Sequence, residues 1–352
     1  MARTHLKAVA KSLALSSLAL LPFKVLADEA SLQHIAGYAD AGYVDQRGEY
    51  GSFMLGHFNP IFHFLYRDLI LADGELELEI NSSGETEVNL EYGKLVFFVN
   101  DNIMFIAGKM LSPAGYFFQN LHPSWINKLP DHPPGFRDEE AAPEAFIGAE
   151  LRGAVAFCPV KVTYSIFVAN GPRGIVDGCE IEEIEGGGSN ADIDGSKIVG
   201  GRIALLTGDH IEVGVSGAYG GIGLFDEDTD ELIEKGRDYY LLGADAAIHY
   251  NNLELRGEII QQKIDSSSKH HLKGGKWRGW YGQAAYKFLP TNFEGVIRYG
   301  EYHTPHHEDN YEQLAFGVDY WFAPYVVAKI AYEINSGDNE ANTFFVQLAY
   351  GF

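Results

Sequence analysis

The last ten residues of the chain, 343–352, read TFFVQLAYGF, and in them apolar side chains alternate with small or polar ones. Successive side chains of a β-strand point to opposite faces, so an alternation of period two predicts a strand with one apolar face. That face is continuous to the end of the chain and consists of Phe344, Val346, Leu348, Tyr350 and Phe352. The C-terminus is therefore predicted to be a strand whose apolar face ends on an aromatic residue.

The same alternation recurs along the rest of the chain, in segments separated by turn residues. The clearest segments are 75–80, 160–168, 211–216, 253–259 and 313–322. We count about 16 such segments between residue 33 and the C-terminus, an even number that fits a closed antiparallel transmembrane β-barrel. The sequence therefore predicts an all-β chain. Within it, Lys94 falls on the face assigned to lipid, and a β-bulge near 52–98 would restore the alternation.

A soluble sandwich would turn these apolar faces inward to a core, whereas a membrane barrel turns them outward to lipid. The connections between segments favour the barrel, because tight turns alternate with long loops such as 114–143, 171–195 and 264–276. Outer-membrane barrels have short turns on the periplasmic side and long loops on the external side. A barrel of this strand number encloses an aqueous channel and forms one domain, predicted here at 28–352.

The N-terminal segment has the features of a secretory signal peptide, predicted at 1–27. Basic residues Arg3, Lys7 and Lys11 precede an apolar run at 12–23. This run is shorter than the roughly 20 residues that a membrane-spanning helix needs. Small or apolar residues then lead to a cleavage position before Asp28.

Composition excludes several classes of protein. The chain has 26 Lys and Arg against 49 Asp and Glu, a formal charge of −23, which argues against binding to nucleic acid. Its 2 cysteines exclude a disulfide scaffold. Cys158 and Cys179 are separated by a predicted strand that would hold them roughly 30 Å apart, so no disulfide is expected.

The predicted signal peptide, the alternating strands and the ending LAYGF at 348–352 together resemble an outer-membrane porin of Gram-negative bacteria. The terminal Phe352 resembles the signal that the barrel-assembly machinery reads. Residues 74–79, Tyr92 and 106–109 are also loosely similar to the phosphate-selective porin type. The resemblance implies a location in the bacterial outer membrane, contact with its lipid and lipopolysaccharide, and a homotrimer.

The polar faces of the strands predict the side chains that face the water of the pore. Acids outnumber bases among them, and rings of carboxylates favour cations, whereas an anion channel needs inward Lys or Arg. We therefore expect a weakly cation-selective pore rather than a phosphate channel. The predicted lining is Glu75, Glu77, Glu79, Glu150, Arg152, Lys161, Arg202, Glu212, Asp245, Glu254, Arg256, Glu258, Arg298, Asp319 and Lys329.

The segment 114–143 is the longest early connection and is rich in aromatic residues, prolines and charges. Long loops with such anchors are usually functional. We expect it to fold into the lumen and narrow the pore, as the resemblance to porins implies, and the alternative is an ordered external cap. Its candidate constriction residues are Lys128, Asp131, Arg137, Asp138 and Glu139.

Histidines in the loop after residue 302 form a candidate metal site, since imidazole suits zinc and copper. The candidate ligands are His303, His306 and His307, and the alternative is a solvated surface loop. Acidic runs at 177–185 and 226–234 lack the spacing of an EF-hand. They are expected to be solvated external loops that bridge to lipopolysaccharide through divalent cations.

Motifs of hydrolases, zinc proteases and nucleotide-binding enzymes are absent from the sequence, which predicts that the protein is not an enzyme and needs no cofactor. The sequence favours passive diffusion of small hydrophilic solutes or ions through the barrel. Two alternatives stay open: an uptake channel for one ligand, such as a metal, siderophore, phosphate or sugar, or a plugged receptor or adhesin barrel.

Overall fold

A computed structural model describes residues 31–352 apart from 82, 187–191, 209, 267–271, 307–308 and 338–340. The predicted signal peptide at 1–27 lies outside the described residues. The described part of the chain is mostly strand, with one short helix, α1 (Phe117–Asn120). No helix in these residues is long and apolar enough to cross a bilayer.

Eighteen strands are assigned along the described ranges. Their bounds are β1 (Ser31–Gln46), β2 (Ser52–Tyr66), β3 (Ile70–Ile80), β4 (Thr86–Asn100), β5 (Ile103–Leu111), β6 (Ala145–Phe157), β7 (Val160–Asn170), β8 (Arg173–Asp177), β9 (Glu180–Glu185), β10 (Lys197–Thr207), β11 (Ile211–Asp226), β12 (Leu232–Tyr250), β13 (Leu253–Ile264), β14 (Gly275–Lys287), β15 (Phe293–His303), β16 (Tyr311–Ala323), β17 (Val326–Ser336) and β18 (Thr343–Gly351).

Sixteen of these strands form a closed antiparallel ring, and this confirms the predicted barrel and its strand number. The ring closes where β1 pairs with β18, in a register that runs from Tyr38 opposite Gly351 to Gln46 opposite Thr343. The main chains of Gly37 and Phe352 extend this pairing to the last residue, with N–H to carbonyl distances of 2.9 and 2.8 Å. The sheet therefore has no free edge at the point where chain end meets chain start.

The C-terminal strand has the predicted orientation. Leu348 and Tyr350 point outward and keep about half of their surface exposed, whereas Ala349 between them is fully buried. The same outward apolar face is found around the ring, on residues such as Ile166, Val215 and Ile330. The outward face of the ring is therefore apolar, which is the arrangement typical of outer-membrane barrels.

A β-bulge interrupts the pairing of β3 with β4. Glu75 pairs with Tyr92, whereas the next residue, Leu76, pairs with Leu90, so Glu91 is the extra residue on β4. The extra residue shifts the alternation by one and turns Lys94 into the barrel, where its Nζ lies 3.3 Å from Asp73 Oδ2. The bulge expected from the position of Lys94 is therefore present.

The remaining two strands, β8 and β9, form a hairpin that is not part of the closed ring. The hairpin pairs in parallel with the end of β11, from Arg173 opposite Gly223. Ile175, Ile181 and Ile184 on the hairpin are buried against the barrel. The expectation of a plain solvated loop at 177–185 is therefore wrong, because this acidic run alternates glutamates with isoleucines that pack inward.

Cys158 and Cys179 are both free and exposed.

Candidate functional site

The segment between β5 and β6, residues 112–144, lies against the inner face of β13 to β17, and we call it the inserted loop. Its helix α1 begins at a wall carboxylate. The N–H groups of Tyr116 and Phe117 donate to Glu258 on β13 at 2.8 and 3.0 Å. A carboxylate at a helix start accepts N–H groups that have no partner within the helix, so Glu258 holds this end of the loop.

Two wall cations hold the middle of the inserted loop through its carbonyl groups. Arg298 on β15 donates to the carbonyl oxygens of Asp131 and His132, at 2.9 and 3.1 Å. Lys329 on β17 donates to the carbonyl oxygens of Ser124 and Asn127, the latter at 2.7 Å. Both cations are almost completely buried. They therefore serve as anchors for the loop and do not face open water.

The loop side chains complete the contact with the wall. Lys128 pairs with Glu294 on β15 at 3.0 Å, and Phe117 and Phe136 pack edge-on against Tyr281 of β14, with ring centroids 6.2 and 5.2 Å away. Aromatic pairs at such separations are favourable beyond their buried area. The loop thus lies in the lumen on one side and leaves the inner face of β2 to β6 open.

A cavity of about 980 Å³ occupies this open side, between the inserted loop and the wall. Its lining contains six acidic residues, two basic residues and three histidines. The carboxylates are Glu77, Glu79, Glu91, Asp131, Asp138 and Glu144; the cations are Lys109 and Arg137; the histidines are His57, His122 and His132. The lining of the cavity therefore has more acidic than basic side chains.

Five predicted lining or loop residues belong to this cavity: Glu77, Glu79, Asp131, Arg137 and Asp138. Within it, Arg137 binds Asp131 at 2.7 Å. Glu139 is exposed and lies beside the hairpin carboxylates Glu183 and Glu185.

Most of the other predicted wall residues face inward and are paired with neighbouring wall side chains or with the inserted loop. Arg202 contacts Asp245 at 2.9 Å and Glu212 at 2.9 Å. Arg256 pairs with Glu254, and Arg152 with Glu150, each at 2.7 Å. Glu75 accepts a bond from Asn59, Asp319 is buried opposite Lys329, and Lys161 is exposed next to the turn at 158–159.

Sequence reasoning missed several residues of the cavity, namely Glu91, Lys109, Glu144 and the three histidines. Glu91 was missed because the bulge that places it was not located from the alternation. Glu144 and His122 lie in the inserted loop, where no periodicity exists to assign a direction. A search for charged residues beside the predicted bulge would have found Glu91.

Environment changes the protonation of the loop acids. Desolvation in the lumen, together with the charges of Glu144 and Glu139, raises the pKa of Asp138 to about 6. Burial raises the pKa of Glu140 to about 7. Burial opposes ionisation of Asp131 as well, but the neighbouring Arg137 and Arg298 outweigh it and lower its pKa. Burial lowers the pKa of His132 to about 4, so this imidazole is neutral at pH 7.

The structure separates the candidate metal ligands. His303 ends β15, where its Nε2 lies 3.2 Å from Glu301. His306 turns to the hairpin, where its ring nitrogens lie 3.5 Å from Glu180 and 3.8 Å from Glu182. His307 lies outside the described residues. One imidazole and two carboxylates therefore meet at His306, and His303 takes no part in that group.

Comparisons with known proteins agree with the geometry. No protein-family model matches the chain, and no curated protein matches it in sequence. Among solved structures, the chain is similar to an anion-selective porin from Comamonas acidovorans, with a TM-score of 0.64 and 14% identity over 92% of this chain and 100% of that one. It is also similar to the outer membrane channel DcaP of Acinetobacter baumannii, with a TM-score of 0.61 and 10% identity over 93% of this chain and 99% of that one.

Two further structures extend this likeness. OmpF of Salmonella typhi, solved in a complex with daunomycin, gives a TM-score of 0.56 and 14% identity over 92% of this chain and 99% of that one. The trimer form of OmpT, an outer membrane protein of Vibrio cholerae, gives a TM-score of 0.59 and 11% identity. This match covers 92% of this chain and 100% of that one. The chain therefore has the fold of the bacterial outer-membrane porins, the class predicted from the sequence.

Proposed function

We propose that the protein is a passive outer-membrane channel for small hydrophilic solutes and ions, with a preference for cations. The observation that carries the proposal is the lumen cavity of about 980 Å³ with six carboxylates and two cations in its lining. A low-dielectric barrel wall focuses the field of such a lining, so the local concentration of cations rises and that of anions falls. The anion selectivity stated for the Comamonas porin is not transferred to this chain.

The inserted loop sets the width of the passage. It occupies the side of the lumen next to β13–β17, and its anchors are buried groups such as Glu258, Arg298 and Lys329. Buried charged groups with main-chain partners are costly to separate, so the loop keeps a fixed position in the lumen. The opposite wall, next to β2–β6, forms the other side of the constriction.

The proposed mechanism includes no catalytic step, because solutes move down their own gradients. The outward apolar belt contacts membrane lipid, and the acidic external segment 226–234 contacts lipopolysaccharide through divalent cations. The barrel-assembly machinery recognises the strand that ends at Phe352. A homotrimer is the proposed assembly, and the trimeric neighbour is compatible with it.

A plugged barrel is the second candidate, since both the inserted loop and the β8–β9 hairpin fill space inside the ring or at its external mouth. Single-channel recording from the folded mature protein in a planar bilayer separates the two. Stable conductance steps that do not saturate with salt support the diffusion channel. Folded protein that inserts without conductance contradicts the channel and favours the plugged barrel.

A further inference from the structure

An apolar patch lies inside the barrel at its periplasmic end. Leu71, Phe98 and Met104 point into the lumen, are only partly buried, and pack against the buried side chains of Val96 and Ile106. Inward faces of porin-type barrels are polar because they contact water. Partly exposed apolar side chains at this place therefore require a reason other than lining an ion path.

Strand register places these residues side by side. Phe98 on β4 pairs with Met104 on β5, and Met104 pairs with Arg152 on β6. Together with the neighbouring turns they line an open cavity of about 700 Å³. Ligand pockets are of this size and combine a mainly apolar lining with a few polar groups, so the cavity has the dimensions of a small-molecule site.

The charged groups at the edge of this cavity indicate the ligand class. Arg152 is neutralised by Glu150, which accepts bonds from its Nε at 2.7 Å and from Nη2 at 3.0 Å. Two acids, Asp68 and Asp101, lie on the turns at the periplasmic opening of the cavity and are exposed. An apolar floor with carboxylates at its edge matches a molecule that has an apolar body and a positive charge.

We propose that this cavity, which we call the periplasmic pocket, binds amphipathic organic cations during their passage through the channel. The inference rests on the proposed cation preference, since the ligand must pass the acidic cavity to reach the pocket from outside. The apolar body contacts Phe98 and Met104, and the cationic group lies near Asp68 and Asp101. Binding here lengthens the stay of such solutes in the pore relative to small inorganic ions.

The test uses three probes added to the periplasmic side of the unaltered protein in a planar bilayer: benzyltrimethylammonium, tetramethylammonium and benzenesulfonate. Current interruptions give the residence time of each probe. We expect benzyltrimethylammonium to stay about tenfold longer than tetramethylammonium, the factor that burial of roughly half of a phenyl ring provides. Benzenesulfonate has the same ring but a negative charge, and we expect its residence time to be no longer than that of tetramethylammonium.

The variant Met104→Gln keeps the length of the side chain but makes the floor polar, and it should shorten the stay of benzyltrimethylammonium. The matched control is Met54→Gln, at an exposed methionine on β2 away from the pocket. Equal residence times for the two cations, or the longest stay for benzenesulfonate, overturn the inference. If the reversal potential in KCl still shows cation preference, either result leaves the proposed function intact. Anion preference in KCl would contradict both the proposed function and the periplasmic pocket.

Discussion

Gly135 of the inserted loop and Gly279 of β14 are in main-chain contact at the inner face of the barrel wall. A Cβ atom added to Gly279 would lie 2.4 Å from the Cα atom of Gly135, closer than such atoms approach in proteins. Gly135 also has a φ of +82°, a conformation that favours glycine. The loop can lie flat on the wall here because neither residue has a side chain.

The substitution Gly279→Ala should displace the inserted loop. Both contacting atoms belong to main chains, which cannot move aside as a flexible side chain would, so we expect overpacking to cost about 1–3 kcal/mol. Thermal unfolding should occur at lower temperature, and single-channel current should become noisier. Gly282→Ala on the same strand is the control, since a Cβ there meets nothing within 4 Å. Identical behaviour of the two variants would show that the contact does not position the loop.

Lys329→Met should loosen the same loop at a second point. The methionine preserves the apolar stem but leaves the buried carbonyl groups of Ser124 and Asn127 without their donor, at a cost of about 1–3 kcal/mol each. We expect a larger or more variable single-channel conductance. Lys161→Met removes a charge from an exposed wall position and is the matched control. Unchanged conductance in Lys329→Met would contradict the anchoring role.

Cation preference should weaken as the pH falls from 7 to 5. The pKa of Asp138 is raised to about 6, so its carboxylate is mostly charged at pH 7 and mostly neutral at pH 5. Because other titratable groups line the same cavity, the comparison needs Asp138→Asn. This variant should show a lower preference at pH 7 and a flatter pH profile in reversal-potential measurements. Parallel profiles for the two proteins would exclude Asp138 as the titrating group.

Much of the fold can be predicted from the sequence, because apolar and polar side chains alternate along a barrel strand and this alternation shows which side chains point outward. The ending at 343–352 and the outward face of β18 agree residue by residue. Lys94 even indicated where the period breaks, and the bulge at Glu91 accounts for it. The hairpin β8–β9 was missed as structure, because its charges suggested solvent and its short strands lie outside the ring.

The site could be predicted only in part, for a physical reason. Alternation assigns side chains such as Glu258 and Arg298 to the lumen, but it does not tell whether they face water or main-chain groups. That depends on the inserted loop, whose path is set by contacts distant in sequence, such as Arg298 with the carbonyl group of Asp131. Several of the charged residues predicted to line the pore therefore anchor the loop. The open cavity is lined in part by Glu91 and Glu144, which were not among the predicted residues.

The central claim is that the carboxylates of the open cavity select cations. The most direct test is the reversal potential of single channels across a KCl gradient, for the mature protein and for the double variant Glu79→Gln and Glu144→Gln. Glu49→Gln, in the exposed turn after β1, is the control. We predict cation preference in the unaltered protein and in the control, and a clear reduction in the double variant. Anion preference, or a preference that the double variant leaves unchanged, would contradict the assignment.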